Sequence, residues 1–298
     1  MKKIIIAGGS GFLGSVLERY FSENDYKVFI LTRTPEKENH IYWDAKNLGK
    51  WSELLENSEA LINLTGKSVD CRYTKRNKKM IYNSRIDSTA VLGLAISKSK
   101  NPPKTWINSS TATIYEHSEE ILMTERNGII GDDFSMNIAK SWEKTFYQLT
   151  TPKTRKIVIR TAIVMGKKGG ALPTLKRLVK LRMGGKQGSG KQKVSWIHEH
   201  DFARAIHYLI SNSHLEGNFN VTVPQPTDNQ SLMSSLRNNM LIPFGINHPE
   251  WLLEVGALLI GTETELILKS RNVFPERLLE EGFNFNYQNI DHALKSLL

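Results

Sequence analysis

The chain opens on a short β-branched run, Ile4 to Ile6, meets glycines at positions 8, 9, 11 and 14, and then changes period. From Phe12 the apolar residues Leu13, Val16, Leu17, Tyr20 and Phe21 recur at three- and four-residue steps, which places them on one face of a helix. A second unbroken run, Val28 to Leu31, follows. Strand, glycine turn, helix and strand make one βαβ unit. Further apolar runs at Ala60–Leu64, Thr105–Asn108 and Ile157–Ile159 are separated by longer polar segments with helical content. Strands that are continuously apolar belong in a parallel sheet covered by helices on both faces. Beyond residue 165 come glycine-rich connections and helix-like pieces near 199–212, 229–240 and 289–298, with no repeat and no low-complexity linker. The expected architecture is a doubly wound α/β sheet in residues 1–165. Residues 166–298 then form a smaller substrate-side lobe that contributes helices and leaves room for strands in the main sheet.

Composition narrows this picture without redirecting it. With 298 residues, 40% of them apolar, and a mean hydropathy of -0.36, the chain can pack a core without staples. Cys71 is its single cysteine, so intramolecular disulfides and four-cysteine zinc sites are excluded and a reducing cytoplasm is expected. The apolar run after Lys2 and Lys3 meets Gly8 too soon for a signal peptide. The stretch from Trp251 to Gly261 contains Glu254 and falls short of the roughly 20 residues of a membrane span, so no membrane partner is expected.

Charge adds a more specific expectation. The net charge is +10, and between Glu143 and Glu199 there is no acidic residue. The strand at Ile157–Ile159 leads through Arg160 to Gly166 at the carboxyl edge of the sheet, where ligands of open α/β folds bind. The basic segment is therefore expected to border the cleft, with Arg182, Lys186 and Lys191 turned toward an anionic small molecule; the other reading is a solvated basic surface. The run Lys75–Lys79 and this segment also raise nucleic acid as a partner. Neither is interleaved with aromatic residues, and no helix-turn-helix or zinc-finger spacing is present, which argues against it. His198 and His200 lack helical HExxH spacing, and no metal is expected.

Gly8-Gly9-Ser10-Gly11-Phe12-Leu13-Gly14 carries the chemistry. Glycines between a strand and a helix permit the tight turn, the close approach of a pyrophosphate to bare backbone, and the packing of helix on strand. The helix amino end then stabilises the phosphates. At the end of the second strand an NAD site would carry an acid for the ribose hydroxyls, but this chain has Thr32-Arg33-Thr34. Arg33 can pair with a 2'-phosphate that an acid would repel, so NADP (NADPH) is the expected cofactor.

With these residues in hand, the chain resembles the extended, epimerase-like short-chain dehydrogenase/reductases, and within them the atypical "epimerase family proteins" that end in a segment of unknown function. The matching stretches run almost the whole length, from Gly8–Gly14 and Leu31-Thr32-Arg33 through Asn63-Leu64-Thr65-Gly66 and Ser109–Tyr115 to Pro275-Glu276-Arg277-Leu278. The resemblance implies that Asp44 lies near the adenine amine and that Leu64, Thr65 and Gly66 line the adenine and ribose side of the groove. It implies that Thr111, or its neighbour Ser110, holds a substrate carbonyl. Family enzymes follow with a tyrosine and, four residues on, a lysine that lowers the tyrosine pKa and bonds the nicotinamide ribose. Here Lys140 is present but the tyrosine position is Met136, and a thioether carries no proton. Either another group, such as Tyr115 or His198, does the acid/base work, or the protein binds NADP without the usual reduction. The expected function is an NADP-dependent oxidoreductase or epimerase-like enzyme on an unidentified small molecule, the rival being an NADP-binding sensor or regulator without turnover.

Overall fold

The computed structural model describes residues 1–254 and 263–298. Its centre is a seven-stranded sheet of β1 (Lys2–Ala7), β2 (Tyr26–Thr32), β3 (His40–Tyr42), β4 (Ala60–Asn63), β5 (Thr105–Thr111), β6 (Arg155–Thr161) and β11 (Gly217–Val221). The order is β11-β6-β5-β4-β1-β2-β3, and every neighbouring pair is parallel. The direction of winding reverses beside β1, and that switch point leaves a crevice at the carboxyl ends of β1 and β4. β7 (Ile163–Gly166), β8 (Gly169–Gly170) and β10 (Trp196–His198) form a separate small sheet, while β9 (Lys193–Val194) pairs with β12 (Thr227–Asp228).

Alternation along β1 divides the core. Ile4 and Ile6 join Leu17 and Phe21 of α1 (Phe12–Glu23) and Phe202 and Ile206 of α5 (Glu199–Ser211) on one face. Ile5 and Ala7 join Leu92 of α2 (Lys75–Lys98) and Phe146 of α3 (Phe134–Gln148) on the other. Burying each such aliphatic or aromatic side chain contributes about 1.5–3 kcal/mol, so the strands are apolar on both sides for a reason. The late strand β11 comes from beyond residue 165 yet pairs along β6 from Gly217 opposite Ile157 to Val221 opposite Thr161. α4 (Leu172–Lys180) packs against α6 (Asn229–Asn239), and so does the last helix, Ile290–Leu297.

Helix starts differ in one informative way. Thr74, Asp133, His198 and Asp228 each cap their helix with a side-chain acceptor for a backbone N–H. α1 begins at Gly11 with no side-chain cap. α4 likewise lacks a side-chain cap, but only the start of α1, at Gly11, lies on the crevice.

Candidate nucleotide cleft and the polar network beneath it

At the switch point lies a cleft of about 770 Å³, walled by the β1–α1 turn, the ends of β2 and β4, the turn after β3 and the N-terminal half of α2. The glycine turn is shaped by three separate constraints. Gly8 has φ +71, and a Cβ there would come 2.8 Å from Thr65 Cα, so it permits the turn to lie against the end of β4. A Cβ on Gly14 would overlap the Gly9 carbonyl oxygen, so Gly14 permits α1 to close on the turn. Gly11 differs: a Cβ there meets nothing within 4 Å, and the open space is the cleft. Gly8, Ser10 and Gly11 line it, whereas Phe12 packs under the glycines of β7 and β8 and Leu13 packs against the core. Phe12, Leu13 and Gly14 are not among the residues that line the cleft.

Thr32 and Arg33 line the cleft as the turn after β2, and Leu64, Thr65 and Gly66 line it as the turn after β4. Among the described residues the buried Thr65 hydroxyl has no hydrogen-bond partner. Asp44 lies in the wall, but its carboxylate is engaged locally: it accepts from Asn47 N at 2.8 Å, from Asn47 Nδ2 at 2.6 Å and from Lys46 N at 2.9 Å. These bonds, led by the Asn47 N–H, hold its pKa below the ordinary carboxylate value. Ser84 and Arg85 brace the turn from below, Ser84 Oγ accepting from Lys67 N and Arg85 Nη1 donating to the Lys67 carbonyl at 3.1 Å. Burial lowers the Arg85 pKa to about 10, and its guanidinium carbon lies 5.0 Å from the Trp142 ring centroid.

Arg33, Lys46, Lys67, Arg76 and Lys79 line the same cleft against two acids, Asp44 and Asp87. Among the described residues no carboxylate pairs with Arg33, Arg76 or Lys79. The basic run Lys75–Lys79 is therefore split by helix geometry: Arg76 and Lys79 turn to the cleft, and Lys78 lies 4.7 Å from the Phe134 ring centroid. In the sequence this run points only to nucleic acid. Its three-residue spacing at a helix start was the cue.

The residues expected to do chemistry are distributed differently from the expectation. Tyr115 is 0% exposed; its hydroxyl donates to Asn220 Oδ1 at 2.9 Å and accepts from Arg160 Nη1 at 2.8 Å. Burial raises its pKa, with Arg160 opposing. The side chain follows the short helical turn Ala112–Ile114, turns inward and is not among the residues lining the cleft. Ser110 is also committed, donating to Glu143 Oε1 at 2.7 Å within the same buried network. Thr111, one residue on, alternates to a partly exposed position, where its Oγ1 accepts from Thr113 N at 3.1 Å. Lys140 is half-exposed and holds Asp132 at 2.6 Å, outside the wall of the cleft. Met136 is buried one turn before it.

His198 is likewise structural. Its Nδ1 accepts from His200 N at 3.0 Å, which leaves the proton on Nε2, 3.1 Å from Ser296 Oγ, and its ring stacks on Tyr287 at 3.8 Å. Burial lowers its pKa to about 4. Among the described residues no group of three His, Cys, Asp or Glu side chains is arranged to hold a metal.

The acid-free segment requires a correction. None of Arg182, Lys186 and Lys191 lines the cleft; its cations come instead from residues 33, 46, 67, 76 and 79. After β6 the chain leaves the main sheet for the small sheet and α4, which carries these side chains away from the crevice. Among the described residues no helix is long and apolar enough to cross a membrane.

Comparison with known proteins agrees with this geometry. Residues 4–132 match the NAD dependent epimerase/dehydratase family, and residues 248–297 match a domain of unknown function, DUF1731. The epimerase family protein YfhF of Bacillus subtilis is 33% identical over 99% of this chain and 97% of its own. Among solved structures, human epimerase family protein SDR39U1 with NADPH superposes with a TM-score of 0.89 at 27% identity, covering 99% of this chain and 98% of that one. A nucleoside-diphosphate sugar epimerase from Corynebacterium glutamicum gives 0.80 at 26% identity, covering 99% of this chain and 58% of that one. An open, glycine-turned cleft at the switch point of a parallel sheet, together with a whole-length match to such relatives, places this chain, with its NAD dependent epimerase/dehydratase and DUF1731 segments, among the epimerase family proteins.

Proposed function

We propose that the protein binds NADP(H) in the cleft and acts as an oxidoreductase or epimerase-like enzyme on a small molecule. The observation that carries this reading is Arg33, an unpaired guanidinium in the cleft wall directly after β2, where an NAD site would place an acid. The cleft fits the cofactor in other respects. The uncapped start of α1 supplies N–H groups and a dipole for the pyrophosphate, and Gly11 leaves the space for it. The unpartnered Thr65 hydroxyl is a free polar atom on the ribose side. The NADPH of the human relative supports the same choice.

When bound, the cofactor supplies hydride chemistry. Thr111 is the hydroxyl we assign to orient a carbonyl: Ser110 is locked into the buried network by Glu143, whereas the Thr111 hydroxyl is partly exposed and bonds only to its neighbour Thr113, donating to Thr113 Oγ1 at 2.9 Å. A second reading, a nucleotide-sensing protein without turnover, is favoured by two observations: Met136 is buried at the tyrosine position, and Tyr115 is sealed in the interior. Fluorescence titration with NADPH and NADH tests the cofactor, the expected result being tighter NADPH binding. Equal affinities would remove the NADP assignment, and binding of neither would remove the reading altogether. Oxidation of NADPH by a panel of carbonyl and sugar-nucleotide compounds separates enzyme from sensor.

A further inference from the structure

The basic segment between Glu143 and Glu199 carries an unusual surface at residues 181–186. Leu181 and Met183 follow α4, while Leu241, Phe244 and Ile246 lie on the loop after α6, and backbone bonds draw the two segments together. Ile246 N donates to the Arg182 carbonyl at 2.8 Å, and Gly185 N donates to the Ile246 carbonyl at 3.1 Å. The Arg182 guanidinium carbon lies 5.0 Å from the Phe244 ring centroid. Leu181 is 61% exposed, Phe244 59%, Ile246 57% and Leu241 89%. Single exposed apolar residues need no explanation, but a group of them around one arginine does.

Two further features mark the same tip. Arg182 and Leu241 hold φ values of +60 and +56, a left-handed conformation that costs a non-glycine residue free energy and persists where surrounding structure enforces it. Beside the apolar group, Lys186, Arg237, Gln230 and Asn247 line a hollow of about 250 Å³ that contains two cations, two amides and no acid. Neither 181–186 nor 241–247 holds an acidic residue, and α4 adds Lys176, Arg177 and Lys180.

We propose that this tip docks on an anionic phospholipid bilayer, its apolar side chains entering the interface and its cations, with the Lys186–Arg237 hollow, receiving lipid phosphates. Apolar side chains rimmed by Lys and Arg match a surface that is hydrocarbon a few ångströms down and negatively charged at its face. A second copy of the chain would bring two acid-free cationic tips together and repel. An acidic protein would satisfy the cations, but its face would leave the apolar group unmatched. Docking of this kind lays no span across the membrane, and it does not depend on what the cleft binds.

Sedimentation of the full chain with vesicles of phosphatidylcholine, with and without phosphatidylglycerol, tests the proposal at low and high salt. The expected result is pelleting with the anionic vesicles alone, weakened by salt. The double variant Phe244→Asp/Ile246→Asp should bind at least about tenfold more weakly, from the apolar area it withdraws. Lys186→Glu should weaken binding about fivefold or more. Circular dichroism and NADPH titration of each variant show whether the fold is retained. Failure to pellet with either vesicle, or undiminished pelleting of a folded double variant, overturns the proposal. So would a dimer in sedimentation velocity that Phe244→Asp breaks, since the face would then belong between copies.

Discussion

Arg160 grips Glu143 with two nitrogens, Nε on Oε1 at 3.0 Å and Nη2 on Oε2 at 2.8 Å, and both side chains are at least nine-tenths buried. Burial alone works against the guanidinium charge, but the bonds and charge of Glu143 raise the Arg160 pKa above its ordinary value. The pair ties α3 to β6, and through Ser110 and Tyr115 it also fixes the end of β5.

Because the geometry is forked and the remaining nitrogen is satisfied by Tyr115, the pair is stable only as a pair. Glu143→Gln should destabilise the protein by about 3–5 kcal/mol, the cost of a buried arginine without its counter-charge. Urea unfolding measures this, and a loss below about 1 kcal/mol would show that water reaches the site.

Arg33→Ala should weaken NADPH binding and leave NADH binding nearly unchanged, narrowing the preference about tenfold or more, as expected for one charge-assisted pair. Paired titrations of the two cofactors give the ratio directly.

Two glycines three residues apart should fail in different ways. Gly11→Val points into open space, so the variant should fold with a thermal midpoint near that of the parent and lose NADPH binding. Gly14→Val places a side chain on the Gly9 carbonyl, and the expected defect is in folding itself. Circular dichroism with cofactor titration separates the two outcomes.

His198 makes stability depend on pH with a definite sign. Its folded pKa of about 4 lies below the ordinary 6.5, so the unfolded chain binds the proton more readily. The contribution is full above pH 6.5 and falls away as the pH drops toward 4. His198→Asn keeps a capping side chain and removes the titration, so its urea midpoint should vary less between pH 7 and pH 5 than that of the parent.

The sheet and the glycine turn were legible because their signals are local: Ile4–Ile6 and Val28–Leu31 are apolar on both faces, and Gly8 to Gly14 sit between a strand and a helix. What sequence did not show depends on how elements are aimed. Tyr115 stands in a motif that resembles a catalytic turn, yet a single residue of alternation decides between cleft and interior, and Arg160, 45 positions later, claims its hydroxyl. Arg76 and Lys79 reach the cleft because of the way α2 is rotated against the sheet, which a helix with long polar stretches does not announce. Arg182 and Lys186 were misplaced for a related reason, since their position depends on the path of the chain after β6 rather than on their neighbours.

The pairing of β11 with β6 also sets an order of events during synthesis. Until Gly217–Val221 has left the ribosome, β6 is the last strand on its side, and its N–H and C=O groups are an open template for another chain. The growing polypeptide therefore carries a sticky margin while the segment between residues 161 and 217 is being made, and a chaperone that shields strand edges would have its greatest effect in that interval.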